Sequence, residues 1–251
     1  MSNKCLLIAD HKSVDKQIHI FNKNDFSYLT SIGNFGEGPE EITVMGCLAI
    51  DEAHHQLYVS DHAKQKIFSY DMDSVMVDSL YKPQVKTAMN ETLFPSEYQY
   101  INDTLSIAVL IKPTSTSTFN QFLGRWNMNT GEMIPMKYTH PDIQKKRITF
   151  AASEKAGIYV ECYTRHDLMT ICSLDGELLY NIYGPDWDGG NGNKLQSFGT
   201  VMIGNDKIFV SYCGEDYARD SFPTKILVFD LEGNYLKTLE TGYKISDCCY
   251  D

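Results

Sequence analysis

The chain has no apolar run long enough for a membrane span, and only 2 Trp among its 251 residues. It has no Walker loop, no nucleophile elbow, no HExxH and no kinase signature, so the commonest recognisable catalytic devices are absent. It also has no CxxC, and its seven cysteines (Cys5, Cys47, Cys162, Cys172, Cys213, Cys248, Cys249) fit neither a disulfide framework nor a zinc site. Most of them stand in apolar runs such as IYVECY and LMTICSL, which predicts buried, free thiols. Positive charge is scarce: 22 basic against 33 acidic residues give a net charge of -11. Such a field repels polyanions and argues against a nucleic-acid partner. The first ten residues, MSNKCLLIAD, do not read as a secretory signal, because the apolar part is short and runs into a strand pattern.

What is present is β structure. Tyr (16) and Phe (12) are abundant, and hydrophobic residues make up 43% of the chain. Residues 46–71, GCLAIDEAHHQLYVSDHAKQKIFSYD, read as three short strands ending at Asp51, Asp61 and Asp71. The same order returns in VMIGNDKIFVSY (201–212) and KILVFDLEGNYLKTLE (225–240). A four-stranded unit recurring every forty to fifty residues or so is the signature of a propeller blade. Hairpins with a turn glycine mark the outer strand pairs at 127–136, 173–182 and 230–239; looser versions stand at 21–32 and 70–80.

Labelling the strands of each blade a to d from the inside outwards, four full units follow. They run 46–51, 57–61, 66–71 and 75–80; 98–103, 105–110, 121–128 and 133–138; 147–153, 157–163, 168–175 and 177–184; and 199–204, 207–212, 225–230 and 235–240. The N-terminus supplies LLIAD, QIHIF and YLTSI, strands b, c and d without an a. The C-terminus supplies KISDCCYD (244–251), an a strand alone. The expectation is one all-β propeller domain over 1–251 with five four-stranded blades, the C-terminal strand completing the N-terminal blade. Segments 81–97 and 185–198 are left as connections, and no helix is expected.

The run SIGNFGEGPEEI (31–42), with Gly36, Gly38, Pro39 and Glu40, followed by the Asp-ended and Tyr-Val-x-Asp strands, resembles the TolB-like and NHL-like propeller proteins of Bacteroidetes. Those are usually described as six-bladed and often carry a lipoprotein or secretory leader. The resemblance implies a propeller fold and a periplasmic or cell-surface setting if a leader has been removed. It implies no reaction.

Propeller geometry puts the d–a connections and b–c loops on one face, where the irregular segments of this chain lie. The candidate ligand-binding residues there are Tyr163, Arg165, His166, Trp187, Tyr212, Glu215 and Arg219, with His11 and His62 after the equivalent Asp10 and Asp61. Arg suits a carboxylate and the aromatics suit a sugar or ring. No catalytic or metal residue is assigned. FGEGPEE reads as a tight strand crossover, and WDGGNGN (187–193) as a linking loop that lacks the EF-hand series. The leading expectation is a non-catalytic propeller that binds a small molecule, glycan or protein, without a cofactor. The alternative is a calcium-dependent lactonase-type hydrolase, for which Asp10, Asp61, Glu161 and Glu215 are the available acids.

Overall fold

Strand periodicity and turn chemistry produce antiparallel sheets almost throughout a computed structural model of the chain, which describes residues 2–78, 80–191, 195–216 and 222–251. Two compact units are present, residues 1–135 and 136–251. The first holds three sheets. One is β1 (Cys5–Ala9), β2 (Lys16–Asn22) and β3 (Tyr28–Asn34). The next is β4 (Met45–Asp51), β5 (Gln56–Asp61), β6 (Lys66–Asp71) and β7 (Gln84–Ala88). The third is β8 (Phe94–Asn102), β9 (Leu105–Pro113), β10 (Phe119–Trp126) and β11 (Met133–Pro135). The second unit holds β12 (Ile148–Ser153), β13 (Ile158–Tyr163), β14 (Leu168–Ser173) and β15 (Leu178–Tyr183), then β16 (Leu195–Gly204), β17 (Lys207–Asp216), β18 (Lys225–Phe229) and β19 (Tyr235–Glu240).

In each sheet every strand pairs with its sequence neighbour, the up-and-down meander of a propeller blade. Burial follows the position in the meander. All six residues of β13 are buried, whereas the outer β15 is largely exposed. Apolar side chains fill the spaces between neighbouring sheets. Ile18, Ile20, Leu57, Val59 and Phe68 join the first two, and Val160, Ile171, Phe198, Ile208 and Val210 join the two of the second unit. Gly176 turns the β14–β15 hairpin at φ +87°, a conformation that a side chain resists.

The described residues form five sheets, as the repeat predicts, and three details differ. First, the described residues of 75–80 form no strand. Asp71 accepts the Ser74 N–H at 2.7 Å and caps a helix, α1 (Met72–Val77), so the fourth strand of that sheet falls at β7, inside a segment read as connection. Second, the N-terminal sheet has three strands, not four. Third, residues 244–251 form no strand and so do not complete that blade. Their own contacts explain why. The Ile245 N–H donates to Pro223 O, Asp247 accepts from Thr200 and from the Cys248 N–H, and Tyr250 packs on Phe209 and over Gly204. A main chain pinned by its own Asp side chain does not run straight.

All seven cysteines are free; Cys5, Cys162 and Cys172 are buried, but Cys249 is exposed. Burial pushes the Cys47 and Cys172 thiols up to about 11, so they are poor nucleophiles. No helix among the described residues is long and apolar enough to cross a membrane.

Candidate functional site

In the first unit the glycine-rich connection between β3 and β4 is a self-contained knot. Glu41 folds back so that its Oε2 accepts the Gly38 N–H at 2.8 Å. A Cβ at Gly36 would stand 2.1 Å from that same oxygen, and one at Gly38 2.8 Å, so both positions need glycine for the carboxylate to approach. Lys64, from the β5–β6 turn, inserts its ammonium and donates to the carbonyls of Gly36, Gly38 and Glu41. Asp61, wholly buried, accepts from the N–H groups of Thr43, Val44, Ala63 and Lys64. The motif therefore fastens one strand crossover to the next turn, as the sequence suggests, and its donors and acceptors are occupied internally.

His62 follows Asp61 but faces inward. Its Nε2 is buried without a hydrogen-bond partner beside Gly46, and its ring lies 6.2 Å from that of Phe94. His11 is exposed in the β1–β2 turn. No hydrogen bond or ring contact among the described residues joins the two.

In the second unit the turn Tyr163–Asp167 and the loop after β15 build one cluster. Buried Asp167 accepts the Asp186 N–H at 3.0 Å, and its main-chain carbonyl accepts from Gly184 at 2.8 Å. Gly184 is needed there, since a Cβ would overlap the Asp167 carboxylate at 2.1 Å. The anchored loop sets Trp187 at the centre of a ring cluster: Tyr183 at 5.0 Å, His140 at 5.4 Å and His166 at 6.1 Å, with Tyr163 a further 6.2 Å from His166. His140 shares a 3.0 Å hydrogen bond with the Tyr183 hydroxyl. Tyr183 is half exposed and Trp187 partly so, whereas His140 and Tyr163 are buried. His166 is 7% exposed; its Nδ1 and the Asp188 Oδ1, 3.9 Å apart, are both buried without hydrogen-bond partners.

Of the sequence candidates, Tyr163, His166 and Trp187 thus come together, with exposed Arg165 on the same turn. Tyr212 packs edge-on against Phe198 at 5.5 Å, and burial, then the nearby Asp167 and Asp186, pushes its hydroxyl up to about 12. Glu215 is exposed near the end of β17. Arg219 lies outside the described residues. His140 and Tyr183 belong to the cluster but carry no sequence signal beyond their aromaticity.

The sequence reading also missed what stands beneath the turn. Glu161 and Lys146 form an ion pair at 2.6 Å with both side chains buried, and the Tyr163 hydroxyl donates to Glu161 at 3.1 Å. The main chain beside Lys146 continues the support: the Arg147 O accepts the Thr164 N–H at 3.0 Å, and the Thr164 O accepts the Ser197 N–H at 2.9 Å. Asp61 and Glu161, two acids available to a metal-centred reading, are therefore engaged by main-chain N–H groups and by Lys146. The described residues contain no group of three or more His, Cys, Asp or Glu placed to hold a metal.

Three histidines, His62, His140 and His166, are held below their ordinary range, chiefly by burial. Unfolded, each titrates near its usual value, so on acidification the unfolded chain takes up protons before the folded one does. Their contribution to stability is present above the unfolded value and is lost as pH falls through and below it. The expected outcome is a fall in the urea midpoint between about pH 7 and pH 5. Replacing His166 by Gln makes that fall shallower; an unchanged slope contradicts the assignment.

Meandering four-stranded sheets of this kind define the propeller class. Residues 1–163 match the family described as 6-bladed beta-propeller (DUF5128), and the chain belongs to it. That description counts six blades; the described residues of this chain form five sheets. No curated protein matches. Among solved structures, one of a nidogen/laminin complex is similar at 10% identity and TM-score 0.56, covering 93% of this chain and 78% of that one. An inferred exported protein of Bacteroides fragilis is similar at 15% identity and TM-score 0.57, covering 96% of this chain and 70% of that one. Both likenesses concern the fold.

Proposed function

We propose that the chain acts as one propeller domain, of TolB-like and NHL-like kinship, that binds a carboxylate-bearing glycan without catalysing a reaction, at the cell envelope. The observation that carries this reading is the Tyr183–Trp187 pair, held partly exposed by an anchored loop beside Arg165. Adjacent rings give sugar faces a stacking surface, and guanidinium recognises a carboxylate through paired hydrogen bonds. The cluster's buried His140 and Asp167 are occupied in holding those rings and the loop, which suits a rigid binding surface.

The test uses sialyllactose, which has a single carboxylate, against lactose by calorimetry. Sialyllactose binds more tightly. Trp187→Ala weakens both sugars, and Arg165→Ala removes the difference between them, about tenfold in affinity. Arg165→Ala leaves the urea midpoint nearly unchanged, whereas Trp187→Ala lowers it because it removes the ring at the centre of the cluster. Equal binding of the two sugars by wild type, or full binding by Trp187→Ala, overturns the reading.

A further inference from the structure

In the first unit, α1 stands in place of a hairpin between β6 and β7. Asp71 caps the helix, and Val75 anchors it in the core between the first two sheets. Met72 and Met76, one helical turn apart, share a face. The helix packs against β3 and β6 and so spans the gap between neighbouring sheets. Beside it is an open pocket of about 440 Å³, a size that holds a small organic ligand. Its walls are Cys5, Leu29, Ile50, Met72 and Met76, apolar groups of which the thioethers adapt to varied shapes.

Acidic groups outnumber basic ones at the pocket. Asp51, Glu52 and Asp73 line it, against Lys4 and His55. Asp51 is occupied: although burial opposes it, hydrogen bonds from His54 and Tyr100 hold its carboxyl below the usual range. Glu52 uses Oε1 to accept the Asn3 N–H at 2.7 Å, and Asp73 uses Oδ2 for His55 at 2.8 Å. The other oxygen of each makes no hydrogen bond among the described residues. Two exposed carboxylates, each with one oxygen engaged by the protein and the other open to water or a ligand, therefore stand at the rim of a pocket with an apolar wall, in a chain of net charge -11.

We propose that this cavity binds a small amphipathic amine, its ammonium between Glu52 and Asp73 and its hydrocarbon body against Leu29, Ile50 and the two methionines. The alkyl part gains by leaving water, and the cation meets acceptors already oriented by Asn3 and His55. The site is separate from the Trp187 cluster, and neither needs the other.

The probes are octylamine, octanol and octanoate, titrated by calorimetry into the full chain. Octylamine binds saturably with one site, octanol about tenfold more weakly, and octanoate not at all. The double variant Glu52→Gln/Asp73→Asn reduces octylamine to the affinity of octanol and leaves octanol unchanged. Leu29→Trp, on a partly exposed wall, fills the cavity and abolishes both; Met76→Trp serves the same purpose if the first variant does not fold. Trp187→Ala binds octylamine as wild type does, which separates this site from the glycan reading. Octanoate binding as tightly as octylamine, undiminished octylamine binding by a cavity-filling variant, or no binding by any probe overturns the proposal.

Discussion

Replacing Lys146 by Met removes about 3–5 kcal/mol of stability, because it leaves the Glu161 carboxylate buried without its cation. Glu161 is 1% exposed, and its remaining side-chain partner is the Tyr163 hydroxyl, which cannot neutralise a charge. The double variant Lys146→Met/Glu161→Leu recovers most of the loss, since two apolar groups of similar volume need no partners. Urea unfolding of the wild type, the single variants Lys146→Met and Glu161→Leu, and the double variant measures this as a double-mutant cycle. A single Lys146→Met variant within about 1 kcal/mol of wild type contradicts it, because an exposed pair behaves that way. The pair also bears on function. Lys146 adjoins Arg147, whose carbonyl receives the Thr164 N–H, so the ion pair underlies the turn that carries Arg165 and His166.

The Lys64 ammonium is the second strut. Lys64→Met takes the ammonium from the carbonyls of Gly36, Gly38 and Glu41, of which Gly36 keeps the Thr43 hydroxyl and Gly38 the Glu41 N–H, and places an apolar group beside wholly buried Asp61, at an expected cost of about 3–5 kcal/mol. Gly36→Ala costs less, because Glu41 can swing outward and give up its bond to Gly38 in exchange for water. The order Lys64→Met worse than Gly36→Ala follows from burial: wholly buried Asp61 loses the ammonium 3.8 Å from its carboxylate, whereas the Glu41 side chain can turn to water. Thermal unfolding of the two variants reads it. The reverse order means that backbone shape rather than the ammonium holds the crossover.

Much of the fold was legible because each of its parts has a local cause. The hairpin at 173–182 is announced by a glycine that the turn requires, and the strands at 157–163 and 168–175 by apolar runs that match β13 and β14 to within two residues. The helix α1 was not legible. Its six residues are too few to show a period, and MDSVMV with two valines reads as strand until the Asp71 cap is seen. β7, QVKTA, is an outer strand with both faces near water and so carries little hydrophobic signal. KISDCCYD looks like GCLAID, yet the Asp247 side chain captures a main-chain N–H and the segment does not extend. At the candidate site, loop length and residue type pointed to the turn at 163–167 and to Trp187. They could not show that His166 is buried, nor that Lys146, 15 residues before Glu161 along the chain, neutralises it. A polar letter inside a turn is the same letter whether it faces solvent or a neighbouring ring.

Iodide quenching of tryptophan emission tests glycan binding at the Tyr183–Trp187 pair, because the two tryptophans are differently placed. Trp126 is 1% exposed against Tyr98, whereas Trp187 is partly exposed, so iodide reports on Trp187 without any substitution. With a glycan seated on the Tyr183–Trp187 pair, sialyllactose protects the emission from iodide in a saturable manner, and Arg165→Ala requires more sugar for the same protection. Quenching that is unchanged at saturating millimolar sialyllactose, or protection that Arg165→Ala leaves untouched, contradicts the account.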